Sequence, residues 1–129
     1  MIGIDTNILV RAYLEDDKYQ AIEAQEFLST AGSNNKLFIS SYAILEFVWV
    51  LKVKSFSRKQ IYQAVITLVT SENIVIGQRI VVLNALERYL KGKADFGDYM
   101  ILAEGEINKS YQVKTFDKEF MKELQISSV

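Results

Sequence analysis

The sequence predicts an α/β fold, a three-layer α/β/α sandwich built on a short parallel sheet of four or five strands. Three observations predict it. Compact apolar runs of strand length alternate along the chain with stretches whose apolar residues recur at helical spacing. Strands alternating with helices pair in parallel, because each crossover helix returns the chain to the same end of the sheet. Proline is absent, and neither a repeat nor a linker divides the chain, so the 129 residues read as one domain spanning 1–129.

The elements follow in order. Residues 2–5 are a strand that runs straight into a helix from Thr6 to about Leu14. The charged stretch 15–18 is a solvated break, and a second helix carries Ala21, Ala24, Phe27 and Leu28 on one face before ending near Ser29. A polar loop at 31–36 leads to the strand 37–40, and helix character resumes from Tyr42 to about Val53. Ser57 and Gln60 have capping-box spacing and start a helix with Ile61, Val65 and Leu68 as its stripe. Residues 74–77 form the third strand, and 78–90 an amphipathic helix broken at Lys91, Gly92 and Lys93. Asp95 and Asp98 open a helix that runs to about Asn108. A fourth strand is expected at 112–116, and a fifth near the end, around Gln125 to Ser128.

Composition excludes much. Histidine and cysteine are both missing, which removes disulfides, imidazole acid–base chemistry, thiolate nucleophiles and the usual zinc ligands. No apolar run approaches membrane-spanning length and no signal peptide is apparent, so a cytoplasmic protein without membrane contact is expected. The formal net charge of −1 does not advertise nucleic-acid binding, though a local basic patch remains compatible with it.

Chemistry in such a chain falls to carboxylates. Asp5 ends the first strand and Asp117 follows the expected fourth, at the carboxyl edge where α/β sheets bind ligands. Either aspartate also suits a helix N-cap. Glu46 lies on an apolar helix, where Tyr42, Trp49, Val50 and Val53 share its face. A burial there requires a lysine partner or a metal. Asp95 and Asp98 both suit the cap of one turn, and two acids at one cap invite a second role for Asp98. Acids gathered without imidazole or thiolate make a hard-oxygen site suited to Mg²⁺ or Mn²⁺. Such an ion relieves their mutual repulsion and serves phosphodiester hydrolysis.

These residues resemble, over essentially the whole chain, the PIN-domain nucleases, and among them the VapC-like toxins of toxin–antitoxin pairs. Asp5, Thr6 and Asn7 match the opening Asp-Thr-Asn, and Glu46 matches the glutamate of an early apolar helix. The run 94–103 is similar to the late-helix motif with Asp98 as its acid, and Thr115 to Phe116 and Asp117 resemble the final one. The resemblance implies a PIN-like sheet, a homodimer, and a Mg²⁺- or Mn²⁺-dependent endoribonuclease inhibited by a small cognate antitoxin. It implies Asp5, Glu46, Asp98 and Asp117 as catalytic metal-site acids, with Asp95 as a further ligand. Thr6, Asn7 and Thr115 are supporting residues, and Arg11, Lys52, Arg58 and Lys93 are candidates to grip RNA. A PIN nuclease of RNA processing or DNA metabolism shares every one of these residues, and a non-catalytic RNA-binding module shares the fold.

Overall fold

A computed structural model describes residues 1–34 and 36–127, with the side chains of 32, 34 and 125–127 left aside. The order is β1 (Ile2–Gly3), α1 (Thr6–Leu14), α2 (Lys18–Asn34), β2 (Leu37–Ile39), α3 (Ser41–Val53), α4 (Arg58–Val69), β3 (Ile74–Ile76), α5 (Arg79–Lys91), α6 (Phe96–Ile107) and α7 (Lys118–Ser127). The strands form one parallel sheet in the order β1-β2-β3. The α/β class and its parallel sheet are as expected.

Register explains which strand residues are buried. Ile2 pairs with Leu37 and Leu37 with Ile74, while Ile39 pairs with Ile76. With Ile4, these alternate positions share one face, where Leu37, Ile39, Ile4 and Ile76 are buried. Gly3, Phe38 and Val75 share the other face, which is more open. Ile39 and Ile4 pack with Ile44, Phe47 and Leu51 of α3, Ile61 and Val65 of α4, and Val82 and Leu86 of α5 in one hydrophobic cluster.

The helix starts follow their caps. Ser57 accepts a hydrogen bond from the Gln60 amide at 3.1 Å, and Gln60 Oε1 accepts from the Ser57 amide at 2.9 Å. The expected capping box is therefore present. Ser40 caps α3, its hydroxyl accepting from the Tyr42 amide.

Three expectations are corrected. The sheet has three strands among the described residues, not four or five. Residues 112–116 form no strand: Val113 is half-buried, but Lys114 and Phe116 face solvent, so the run offers the sheet little to bury. The expected fifth strand begins inside α7, with its end at Ser128 outside the described residues. Finally, α2 continues past Ser29 to Asn34, because Leu28 and Ala31 extend its inward stripe and Gly32 does not stop it. Asn35, in the expected loop, lies outside the described residues.

Candidate metal and nucleic-acid site

Parallel strands finish at one edge, so the residues after β1, β2 and β3 are neighbours in space. The Ile4 amide donates to the Phe38 carbonyl at 2.8 Å, and the Gly77 amide to the Ile39 carbonyl at 2.8 Å. Asp5, Ser40 and Gln78 therefore stand along the same edge. Asp5 is extended (φ −78°, ψ 154°) and caps α1, accepting from the Thr6 amide at 2.8 Å. Thr6 is buried beneath it and Asn7 is exposed.

A groove of about 670 Å³ opens at this edge between α3 and α6, lined by Ser41, Tyr42, Glu46, Trp49 and Lys52 on one side. Asp95, Gly97, Asp98, Ile101 and Glu104 line the other, with Gln78 at its end. Glu46 shares a face with Tyr42 and Trp49 as the periodicity predicts. That face is the open side of α3: Tyr42 is 74% and Trp49 65% exposed. The buried side is Ala43, Ile44, Phe47, Val48 and Leu51. Glu46 is exposed, so it needs neither a lysine partner nor an ion to offset burial.

Asp95 and Asp98 form a capping box at the start of α6, with the Asp95 amide donating to Asp98 Oδ2 at 3.3 Å. Asp98 is half-buried, and its carboxyl is held above the ordinary carboxylate value. Loss of hydration is the main cause, and the charges of Asp117 and Asp95 add to it. The Asp95 amide and the Lys52 ammonium pull the other way. Asp117 thus acts on Asp98 through space, from the start of α7. There it accepts from the Phe120 amide at 2.8 Å while its own amide donates to the Thr115 hydroxyl at 3.0 Å.

The candidate cations are distributed differently. Lys52 enters the groove but is ion-paired with Asp95. Arg11 pairs with Asp16 at 3.6 Å and, with Asn7, lines a separate depression beside Gln20 and Phe27. The guanidinium of Arg58 is bound to main-chain carbonyls of Tyr89 and Ala94. Lys93 is exposed next to the groove's Asp95 corner. Sequence reasoning missed Gln78 and Glu104 as groove residues. Gln78 carries no strand or acid signal, but it takes a left-handed conformation (φ 52°) at the strand end, which is uncommon for a non-glycine residue.

The structure brings Glu46, Asp95 and Asp98 to one groove, with Asp117 in electrostatic reach and Asp5 on the same sheet edge. Among the described residues no three acidic side chains stand at the spacing of a closed ion-binding group. The donors are nonetheless carboxylates alone, in a chain without histidine or cysteine, and that set fits a hard divalent cation.

The fold and site define an α/β domain with a carboxylate-lined cleft at the carboxyl edge of a parallel sheet. The chain belongs to the PIN domain family, whose model matches residues 2–124. PIN domains are generally nucleases, which supports an enzyme with a nucleic-acid substrate. Searches among characterised proteins and among solved structures gave no match. No helix among the described residues is long and apolar enough to cross a membrane.

Proposed function

We propose that the chain is a Mg²⁺- or Mn²⁺-dependent endoribonuclease, and the toxin of a VapBC-type toxin–antitoxin pair. The observation that carries the catalytic reading is the gathering of Glu46, Asp95 and Asp98 in one groove, with the Asp117 charge felt at Asp98. Glu46, Asp98 and Asp5 would hold the cation, and Asp117 and Asp95 would bind it through water or hold a second ion. The cation, when bound, offsets the carboxylate charges and stabilises negative charge on the phosphoryl oxygen. Lys52 neutralises Asp95, which lowers the repulsion a phosphate meets on entering. Tyr42 and Trp49 present exposed rings beside the acids, on which the bases flanking the scissile phosphate stack. Thr115 supports Asp117 through its hydroxyl, and Thr6 supports Asp5 through its amide. The partner reading rests on the same groove: its apolar flank of Tyr42, Trp49 and Ile101 with acids along it suits a small basic antitoxin. A homodimer in the cytoplasm is the expected form.

The test is cleavage of single-stranded RNA by the purified chain in Mn²⁺, in Mg²⁺ and in EDTA, beside Glu46→Gln. Cutting should require the ion, and Glu46→Gln should slow it by about 100-fold or more while melting like wild type, since Glu46 is exposed. Wild type that leaves RNA intact in both ions would overturn the catalytic reading. A cutting enzyme whose induction leaves bacterial growth unchanged would overturn the toxin reading alone.

A further inference from the structure

The corner that carries Asp95 and Asp98 is gripped from behind, by α4. The Arg58 guanidinium donates from Nη1 to the Tyr89 carbonyl at 2.8 Å and from Nη2 to the Ala94 carbonyl at 2.7 Å. Its central carbon also lies 4.2 Å from the centroid of the Tyr89 ring. The two carbonyls stand on either side of the glycine turn that joins α5 to α6, and Ala94 immediately precedes Asp95. One planar fork thus fixes both ends of the turn, which a lysine ammonium on a flexible stem does not do.

The same turn is tied twice more. The Ala94 amide donates to the Tyr99 hydroxyl at 3.2 Å, and the Lys93 amide to Glu123 Oε1 at 2.9 Å. It is also tightly packed: a Cβ at Gly92 would fall 1.9 Å from the Tyr99 hydroxyl oxygen. Ala94 is buried, and the next residue turns out to become the first cap of α6. The position of Asp95, and of Asp98 one turn on, is therefore set by how this segment is held.

We propose that Arg58 is a positioning residue for the acid site: by clamping the Tyr89 and Ala94 carbonyls it sets where Asp95 and Asp98 stand in the groove. Its guanidinium is bound to main-chain carbonyls and does not line the groove, so it acts through the turn. The inference rests on the reading of these carboxylates as an ion-binding site, and its test separates the two.

Arg58→Lys keeps the charge and removes the fork. Amide hydrogen exchange over residues 92–98 should quicken by about 10-fold or more, with the rest of the chain unchanged. Mn²⁺ affinity, read by calorimetry, should fall about 10-fold, the scale of losing an outer support of a metal ligand. Tyr99→Phe, which deletes the acceptor of the Ala94 amide, should move both readings in the same direction. Arg88→Lys is the control, because Arg88 joins α5 to α6 through Glu106 at 2.8 Å, away from the turn. It should leave exchange over 92–98 and Mn²⁺ affinity as in wild type. An Arg58→Lys chain with wild-type exchange over 92–98 overturns the proposal. So does one whose exchange quickens equally everywhere, since Arg58 would then be a support of the whole fold. Wild type that takes up no Mn²⁺ would end the ion-binding reading, and the exchange comparison would still decide the role of Arg58.

Discussion

Replacing Asp98 by Asn should raise the melting temperature of the metal-free chain. The Asp98 carboxyl is held above its ordinary value of 3.8, first by loss of hydration and then by the Asp117 and Asp95 charges. Between the ordinary value and the raised one, the folded chain binds more protons than the unfolded chain. Stability therefore falls as pH rises through that window and stays lower above it. Asparagine carries no charge to suffer this and keeps an oxygen to accept from the Asp95 amide. Asp98 is only half-buried and solvent screens its neighbours, so the gain should be on the scale of a surface charge change, about 0.5 kcal/mol. A chain of 129 residues unfolds with about 0.27 kcal/mol/K of entropy, so the gain is about 2 °C. Melts of both proteins in EDTA across about pH 4 to 8 should show the gap widening as pH rises from the acid end. Excess Mg²⁺ should then favour wild type, because an ion that binds the native state stabilises it. The opposing influence is the dipole of α6, which favours an acid in its first turn. An asparagine variant that melts below wild type at neutral pH, or a gap that ignores pH, would refute the reasoning.

Two further outcomes follow from burial. Trp49→Ala should change stability by no more than about 0.5 kcal/mol, because the ring is 65% exposed. It should weaken single-stranded RNA binding roughly 10-fold, the scale of one lost base stack, and since Trp49 is the sole tryptophan, wild-type fluorescence quenching reports that binding directly. Leu51→Ala, at a fully buried position of α3, should cost about 2–5 kcal/mol in denaturant unfolding, and a smaller loss would mean that the core collapses onto the cavity.

Much of this molecule was legible in its sequence, and the failures have physical causes. The strands at 2–5, 37–40 and 74–77 were visible as short apolar runs because one face of the sheet packs into the core through Ile4, Leu37, Ile39 and Ile76. The start of α4 was visible because its capping box is a local arrangement of Ser57 and Gln60. The segment 112–116 misled because Val113 and Phe116 have strand propensity, and propensity says nothing of whether a sheet edge is there to receive them. Periodicity put Glu46 with Tyr42 and Trp49 but could not say what covers that face, since a helical wheel records direction and not neighbours. Arg58 resembled a surface cation for the same reason. Its partners lie 31 and 36 residues away, and nothing local shows that they are carbonyls.

The candidate acids come from distant parts of one short chain, with Asp5 just after β1, Glu46 in α3, Asp95 and Asp98 at the start of α6 and Asp117 at the threshold of α7. This spacing has a bearing on how such an enzyme can be made safely. A domain is synthesised from its N-terminus and folds as its segments emerge. A nascent chain that has delivered Asp5 and Glu46 still lacks Asp95, Asp98 and Asp117, and Arg58 has no Ala94 carbonyl to grip. On the proposed reading of these carboxylates, the site is complete only after the last of them has left the exit tunnel, and cutting activity should begin no earlier.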